Sequence, residues 1–233
     1  MNPRRLALVF VAALGPAALA AAQDAPKPAP ARGGMSPSEA VAMMVKGASA
    51  GDLDATFGVL VDEQARPLKD WFQAQVELTR TINAQADALD AAFGKDAKEP
   101  TRRVDFDLKQ ELRSGFEGFA VVGEPKVEDD HATLQVRMTD KGPDGKVITR
   151  QETVQARKTD AGWKLSFDEL SRADFPAGIA VMASLRAGLE RTTKLVKDGT
   201  IKDRAAAKRE LERDRPAIVP GNIPLPRFLT RPG

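Results

Sequence analysis

The hydrophobic period of this chain changes twice. From residue 36 to residue 93 apolar side chains recur every three or four positions, from 119 to 167 they alternate, and after Pro176 the longer spacing returns. A repeat near 3.6 gives a helix one buried face, and a repeat of 2 does the same for a strand. The order predicts an α+β chain: N-terminal helices packed on an antiparallel sheet, then C-terminal helices. Ser36-Pro37-Ser38-Glu39 reads as a helix start. Ser36 can cap, Pro37 suits a first turn that needs no N–H, and Glu39 can reach back to the Ser36 N–H. Ala40, Val41, Met44, Val45 and Ala48 then share a face.

Gly51-Asp52 ends that helix, and Asp52 is expected to cap a short second one through Leu53, Phe57, Leu60 and Val61. Pro67 is expected to open a long third helix to about Phe93. Its stripe is Phe72, Val76, Thr79, Ile82, Ala86, Leu89 and Phe93. The stripe holds too few branched aliphatics for a coiled-coil seam and reads as core packing. Gly94 to Arg103 is a charged loop. Residues 104–116 fit either a short strand, in which Val104, Phe106 and Leu108 alternate, or a helical turn.

Phe119 to Val122 predicts a short strand ending near Gly123 and Pro125. In His131 to Thr139, Ala132, Leu134, Val136 and Met138 fall on one face, with His131, Thr133, Gln135 and Arg137 on the other. A turn over 140–145 leads to a return strand over 146–158 with Ile148, Val154 and Ala156 on a shared face. After Asp160-Ala161-Gly162, Trp163, Leu165 and Phe167 alternate with Lys164, Ser166 and Asp168. One apolar face per strand means a sheet covered on one side by helices. Beyond Pro176, Ile179, Met182, Leu185, Leu189 and Val196 line a helix, and Thr200 is expected to cap another through about Arg213.

The ends are of a different kind. Residues 1–22 have the form of a secretory signal peptide: basic Arg4 and Arg5, an uncharged run from Leu6 to Ala22, and small residues before Gln23. The uncharged run is rich in Ala and contains Pro16, short of the ~20 strongly apolar residues that a span needs. Cleavage near Ala22 is expected to leave a periplasmic or secreted protein that meets the membrane only through its leader. Residues 23–35 read as a Pro/Ala-rich linker, 36–173 as the main domain, 174–215 as a helical extension and 216–233 as a Pro-rich tail.

Composition removes whole chemistries. With no Cys, no Tyr and one His, the chain has no disulfide, thiolate nucleophile, Cys-ligated metal or phenolic acid. It has 35 Lys+Arg against 33 Asp+Glu, and the leader holds two of the basic residues and no acid. The remainder is balanced, which gives no support to a nucleic-acid or general polyanion binder. Residues 182–215 nevertheless carry ten basic side chains against six acidic ones, and Arg227 and Arg231 add to them. That excess suits an acidic partner or membrane surface, although interspersed charges also describe a solvated helix face.

Three segments resemble the nuclear transport factor 2-like superfamily, the cone-shaped α+β fold shared with SnoaL-like proteins. They are Ala48-Ser49-Ala50-Gly51-Asp52-Leu53-Asp54, the strand Ala132 to Val136, and the closing Asp160-Ala161-Gly162-Trp163-Lys164-Leu165. The resemblance covers roughly residues 36–170. It implies a curved sheet with a pocket between its concave face and the helices, used by some members for catalysis and by others only for binding or dimerisation. The third helix is longer than is usual there.

The candidate chemistry is sparse. His131 is the natural acid/base residue, but alternation points it to the solvent face. Glu128, Asp129, Asp130 and His131 have the ligand types for a divalent cation. Neighbouring strand residues point to opposite faces, which works against convergence. Asp52, Asp54, Asp105 and Asp107 are the carboxylates nearest the expected pocket, with Asp52 more simply a cap. Related isomerases pair an Asp base with a Tyr donor, and Tyr is absent here. Trp163 reads as core and Trp71 as boundary or interface, while Pro224 to Leu229 has the look of a docking peptide. The expectation is therefore a non-catalytic envelope binding or interaction module. No catalytic, cofactor or metal residue is assigned, no cofactor is expected, and the partner is a small apolar ligand, an envelope protein or a second copy. The alternatives are an acid/base enzyme with a pocket carboxylate and a structural protein acting through its C-terminal helices.

Overall fold

Ser36 Oγ accepts from the Glu39 N–H at 3.2 Å while the Glu39 carboxylate accepts from the Ser36 N–H at 2.6 Å. This box opens α1 (Pro37–Ala50) and holds the Glu39 carboxyl below its ordinary pKa. The computed structural model that shows this describes residues 35–95, 101–141 and 147–213. The signal peptide, nearly all of the linker and the Pro-rich tail lie outside the described residues. Gly51, at φ 78°, closes α1, and Asp52 accepts from the Ala55 N–H at 2.9 Å to start α2 (Leu53–Phe57). The two helices touch at Gly47, where a Cβ would stand 2.5 Å from the Thr56 nitrogen.

Helix α3 (Asp62–Phe93) begins five residues before the expected Pro67, which lies inside it. Pro67 removes the N–H that the Glu63 carbonyl would meet. The turn survives because Gln64 and Ala65 both donate to the Val61 carbonyl, and Ala65 and Leu68 are buried. The buried stripe is also displaced: Trp71, Phe72, Gln75, Leu78, Thr79 and Ala86 are buried, while Val76 is only half so. Trp71 is thus core rather than boundary, 4.9 Å from Phe72 and 6.0 Å from Phe175 between ring centroids. The ambiguous 104–116 segment resolves as a helix, α4 (Leu108–Phe116). Asp107 accepts from the Lys109 and Gln110 N–H groups at 2.8 and 3.2 Å, and a capped start favours the helix over the strand.

Strands β1 (Ala120–Glu128), β2 (His131–Lys141), β3 (Val147–Thr159) and β4 (Gly162–Ser166) form one antiparallel sheet in the order β1-β2-β3-β4. β1 outruns the expected end at Gly123 because an irregularity between Val122 and Lys126 absorbs Gly123 and Pro125 and pairing resumes. Leu134, Val136, Val154 and Leu165 are fully buried on the helix-covered face, with Trp163 and Phe167 beside them. Ile148 shares that parity yet is 37% exposed. On the outer face Thr133 meets Gln155 at 3.2 Å and Gln135 meets Thr153 at 2.9 Å. The far edge of β4 is covered by a parallel bridge, in which the Val61 N–H donates to the Leu165 carbonyl at 3.0 Å.

Short α5 (Asp168–Arg172) leads to α6 (Phe175–Lys197), capped by Asp174 with Pro176 in its first turn. α6 lies along α3 and parallel to it: Trp71 meets Phe175, Glu77 binds Arg186, and Arg80 to Ala84 lie level with Glu190 to Lys194. α7 (Arg204–Arg213) folds back so that Glu210 meets Arg191 at 3.3 Å. Its first turn is capped by Asp203, which accepts from Ala206 at 2.7 Å, and not by Thr200. The Thr200 N–H instead closes α6 on the Leu195 carbonyl. No helix among the described residues is long and apolar enough to cross a membrane.

Candidate functional site

Most of the carboxylates that the sequence nominates have structural partners. Asp52 and Asp107 are helix caps, Asp54 binds Lys69 Nζ at 2.8 Å, and Asp105 is exposed. His131 ends a hairpin with its side chain 67% exposed and its Nδ1 2.5 Å from Asp130 Oδ1. Glu128 pairs across from it and Asp129 turns the chain at φ 54°. This cluster faces solvent, and no group of three His, Asp or Glu among the described residues is placed to hold a metal. Trp163 is buried in the core. Pro224 to Leu229 lies outside the described residues. The sequence reading passed over Glu152. Parity puts it on the inner sheet face two residues from Val154, where it is half-buried. The signal was the same alternation that placed Val154 and Ala156.

Between sheet and helices, aromatic side chains of the described residues pack in a continuous series. Phe57 stacks on Phe72 at 5.6 Å, and contacts of 6.4, 5.9 and 6.1 Å carry the chain of rings through Phe116 and Phe119 to Phe167. Among the described residues, two concavities lie on the helical layer. The first, about 470 Å³, runs between α3 and the C-terminal half of α6. Arg80, Lys194 and Lys197 line it, exposed and with no carboxylate within ion-pair distance among the described residues. Of its two acids, Glu190 is engaged by Arg186 at 3.5 Å, which leaves Asp198. Periodicity alone could not show this, because the three cations come from helices more than a hundred residues apart.

Beside that cleft, a polar clamp joins α3, the 101–104 segment and α7. Asp90 accepts from Thr101 Oγ1 at 2.5 Å, from Arg204 at 2.8 Å and from Arg103 at 2.8 Å. The Thr101 hydroxyl, then Arg204, lower the Asp90 carboxyl to a pKa of about 2. Arg204 also donates to Thr101 at 2.6 Å and to the Gly94 carbonyl. The second concavity, about 400 Å³, lies where the first turn of α3 faces α5 and the start of α6, around the buried Gln64.

No family model, no curated protein and no solved structure matches this chain.

Proposed function

We propose that this protein is an exported, non-catalytic interaction module of the cell envelope that engages an acidic partner through its helical layer. The observation that carries the reading is the α3–α6 cleft, where Arg80, Lys194 and Lys197 stand without carboxylate partners among the described residues. Part of the basic excess over residues 182–215 lies on α6, as Arg186, Arg191, Lys194 and Lys197 against Glu190. Unpaired cations around a concave surface steer an acidic surface toward it and set register more than they add affinity. The leader-like 1–22 segment supports export, and the helix–sheet order with its closing Gly162-Trp163-Lys164-Leu165 strand supports a relation to the nuclear transport factor 2-like superfamily. The aromatic filling beneath the sheet favours a binding surface over an internal carrier pocket.

The test is cross-linking in the native envelope from a photoreactive residue at Thr81, with a matched residue at Gln135 on the outer sheet face. A partner trapped from Thr81 alone, lost in Lys194→Glu/Lys197→Glu and weakened by salt, is the expected result. Equal trapping from both faces, or indifference to the charge reversal, removes the proposal. A second reading, an acid/base enzyme, is favoured by Glu152 on the inner sheet face. It predicts loss of turnover, with folding intact, in Glu152→Gln once a substrate is found.

A further inference from the structure

The second cleft is organised by one buried amide. Gln64 is 5% exposed, and Phe167 fixes its plane. The Phe167 N–H donates to Gln64 Oε1 at 3.0 Å, and Gln64 Nε2 donates to the Phe167 carbonyl at 2.9 Å. The remaining Nε2 hydrogen faces Ser171 Oγ at 2.8 Å and Ser166 Oγ at 3.2 Å. An amide nitrogen only donates, so both serine oxygens act here as acceptors and each hydroxyl keeps its own O–H. Neither hydroxyl donates to another described residue. Two O–H donors, both within 3.2 Å of one fixed nitrogen, therefore share a patch of the cleft wall.

The rest of the cleft has the opposite polarity. The Glu63 carboxylate is exposed at the rim with no cation partner among the described residues. The Glu63 carbonyl lacks its helical donor because the residue four positions on is Pro67. Leu170, Phe175 and the rings of Pro67 and Pro176 supply the apolar part of the lining. An anion fits poorly, because Glu63 would face it.

We propose that this cleft binds an α-amino group together with the carbonyl next to it, as found at the amino-terminal end of a peptide or in a free amino acid. The ammonium has three donors and no acceptor and meets the Glu63 carboxylate and carbonyl. The adjacent carbonyl oxygen takes the Ser166 and Ser171 hydroxyls. A small apolar side chain lies against Leu170 and Pro67. The site stands apart from the α3–α6 cleft, so either can fail without the other.

The full chain is titrated by NMR with L-alanyl-L-alanine amide, with its N-acetyl derivative, which lacks the ammonium, and with L-alanine. The free-amine peptide is expected to give saturable shifts at Gln64, Ser166, Phe167 and Ser171, with the acetylated one about tenfold weaker, the size of one charge-assisted hydrogen bond. L-Alanine binding as tightly as the peptide identifies a free amino acid as the ligand; weaker binding identifies a peptide end. Ser166→Ala/Ser171→Ala, checked for an unchanged melting temperature, should weaken the free-amine peptide by about tenfold or more. Glu63→Gln should remove most of the advantage of the free-amine peptide over the acetylated one. Absence of saturable shifts at these residues, or binding that ignores both variants, overturns the proposal.

Discussion

The sheet-bearing body and the far end of the helical layer are held together by different means, although α3 runs through both. In the body, Met44, Leu60, Leu134, Val136 and Leu165 are fully buried, and the chain of phenylalanine rings ties α2, α3 and α4 to the sheet. Where α3, α6 and α7 meet, the buried apolar cluster is Ala88, Val196, Ile201 and Ala207, of which two are alanines. The join there depends on Asp90, Thr101, Arg103 and Arg204. A buried large aliphatic contributes about 1.5–3 kcal/mol, whereas a partly exposed ion pair contributes roughly 0–1 kcal/mol. Global stability therefore resides in the body, and the far end opens locally at lower cost. α3 adds to the contrast, because Gln75 Nε2, Thr79 Oγ1 and Gln85 Nε2 are buried in it without a hydrogen-bond partner among the described residues.

The largest effect belongs to Trp163→Ala. Deleting this buried aromatic should cost about 3–5 kcal/mol, seen as a lower urea midpoint for the whole chain. A cost under ~1 kcal/mol, the size of a surface change, would mean that the body is not the stabilising unit. Gly47→Ala comes next. Its methyl would enter the space of the Thr56 nitrogen and the Ala55 carbonyl carbon, at 2.5 and 2.6 Å, and neither is a flexible side-chain end. Overpacking of this kind costs about 1–3 kcal/mol, and thermal melting should register it.

Asp90→Asn should act on the far end alone. Hydrogen exchange is expected to quicken at residues 88–93 and 204–207 while amides of β2 and β3 keep their rates. If the body amides accelerate equally, body and far end form one cooperative unit and the comparison fails. Acidification tests the same point. The Asp90 carboxyl is lowered from 3.8 to about 2, so its contribution is complete above pH 3.8 and is lost as the pH falls through about 2. Protection at the far end should decline over that window. The smallest effect is that of His131→Ala, whose side chain is 67% exposed. A change within about 0.5 kcal/mol is expected from equilibrium unfolding.

Local signals were legible in the sequence. The Ser36/Glu39 box, the Gly51-Asp52 break and the outward parity of His131 all follow from residues a few positions apart. So does the burial of Trp163, Leu165 and Phe167, because alternation needs no knowledge of the partner strand. What was not legible depends on distant contacts. Pro67 looks like a first-turn residue until the burial of Ala65 and Leu68 holds the turn before it. Gln75 was missing from the α3 stripe because polarity hid a position that packing buries. The candidate sites join residues with no common local signature: Gln64 meets Phe167 and Ser171, and Asp90 meets Arg204.

The parallel course of α3 and α6 also sets an order of assembly. Two parallel helices cannot be joined by a tight turn, and here the whole sheet is threaded between them. Trp71 must therefore await Phe175, and Glu77 must await Arg186, each more than a hundred residues later in the chain. Closing such contacts is slow relative to forming α1, α2 and the β2–β3 hairpin. During synthesis, the flank of α3 that faces α6 stays uncovered until α6 emerges. The flank of α3 that faces α6, from Trp71 through Glu77 to Ala84, is therefore covered only after every strand of the sheet has been made.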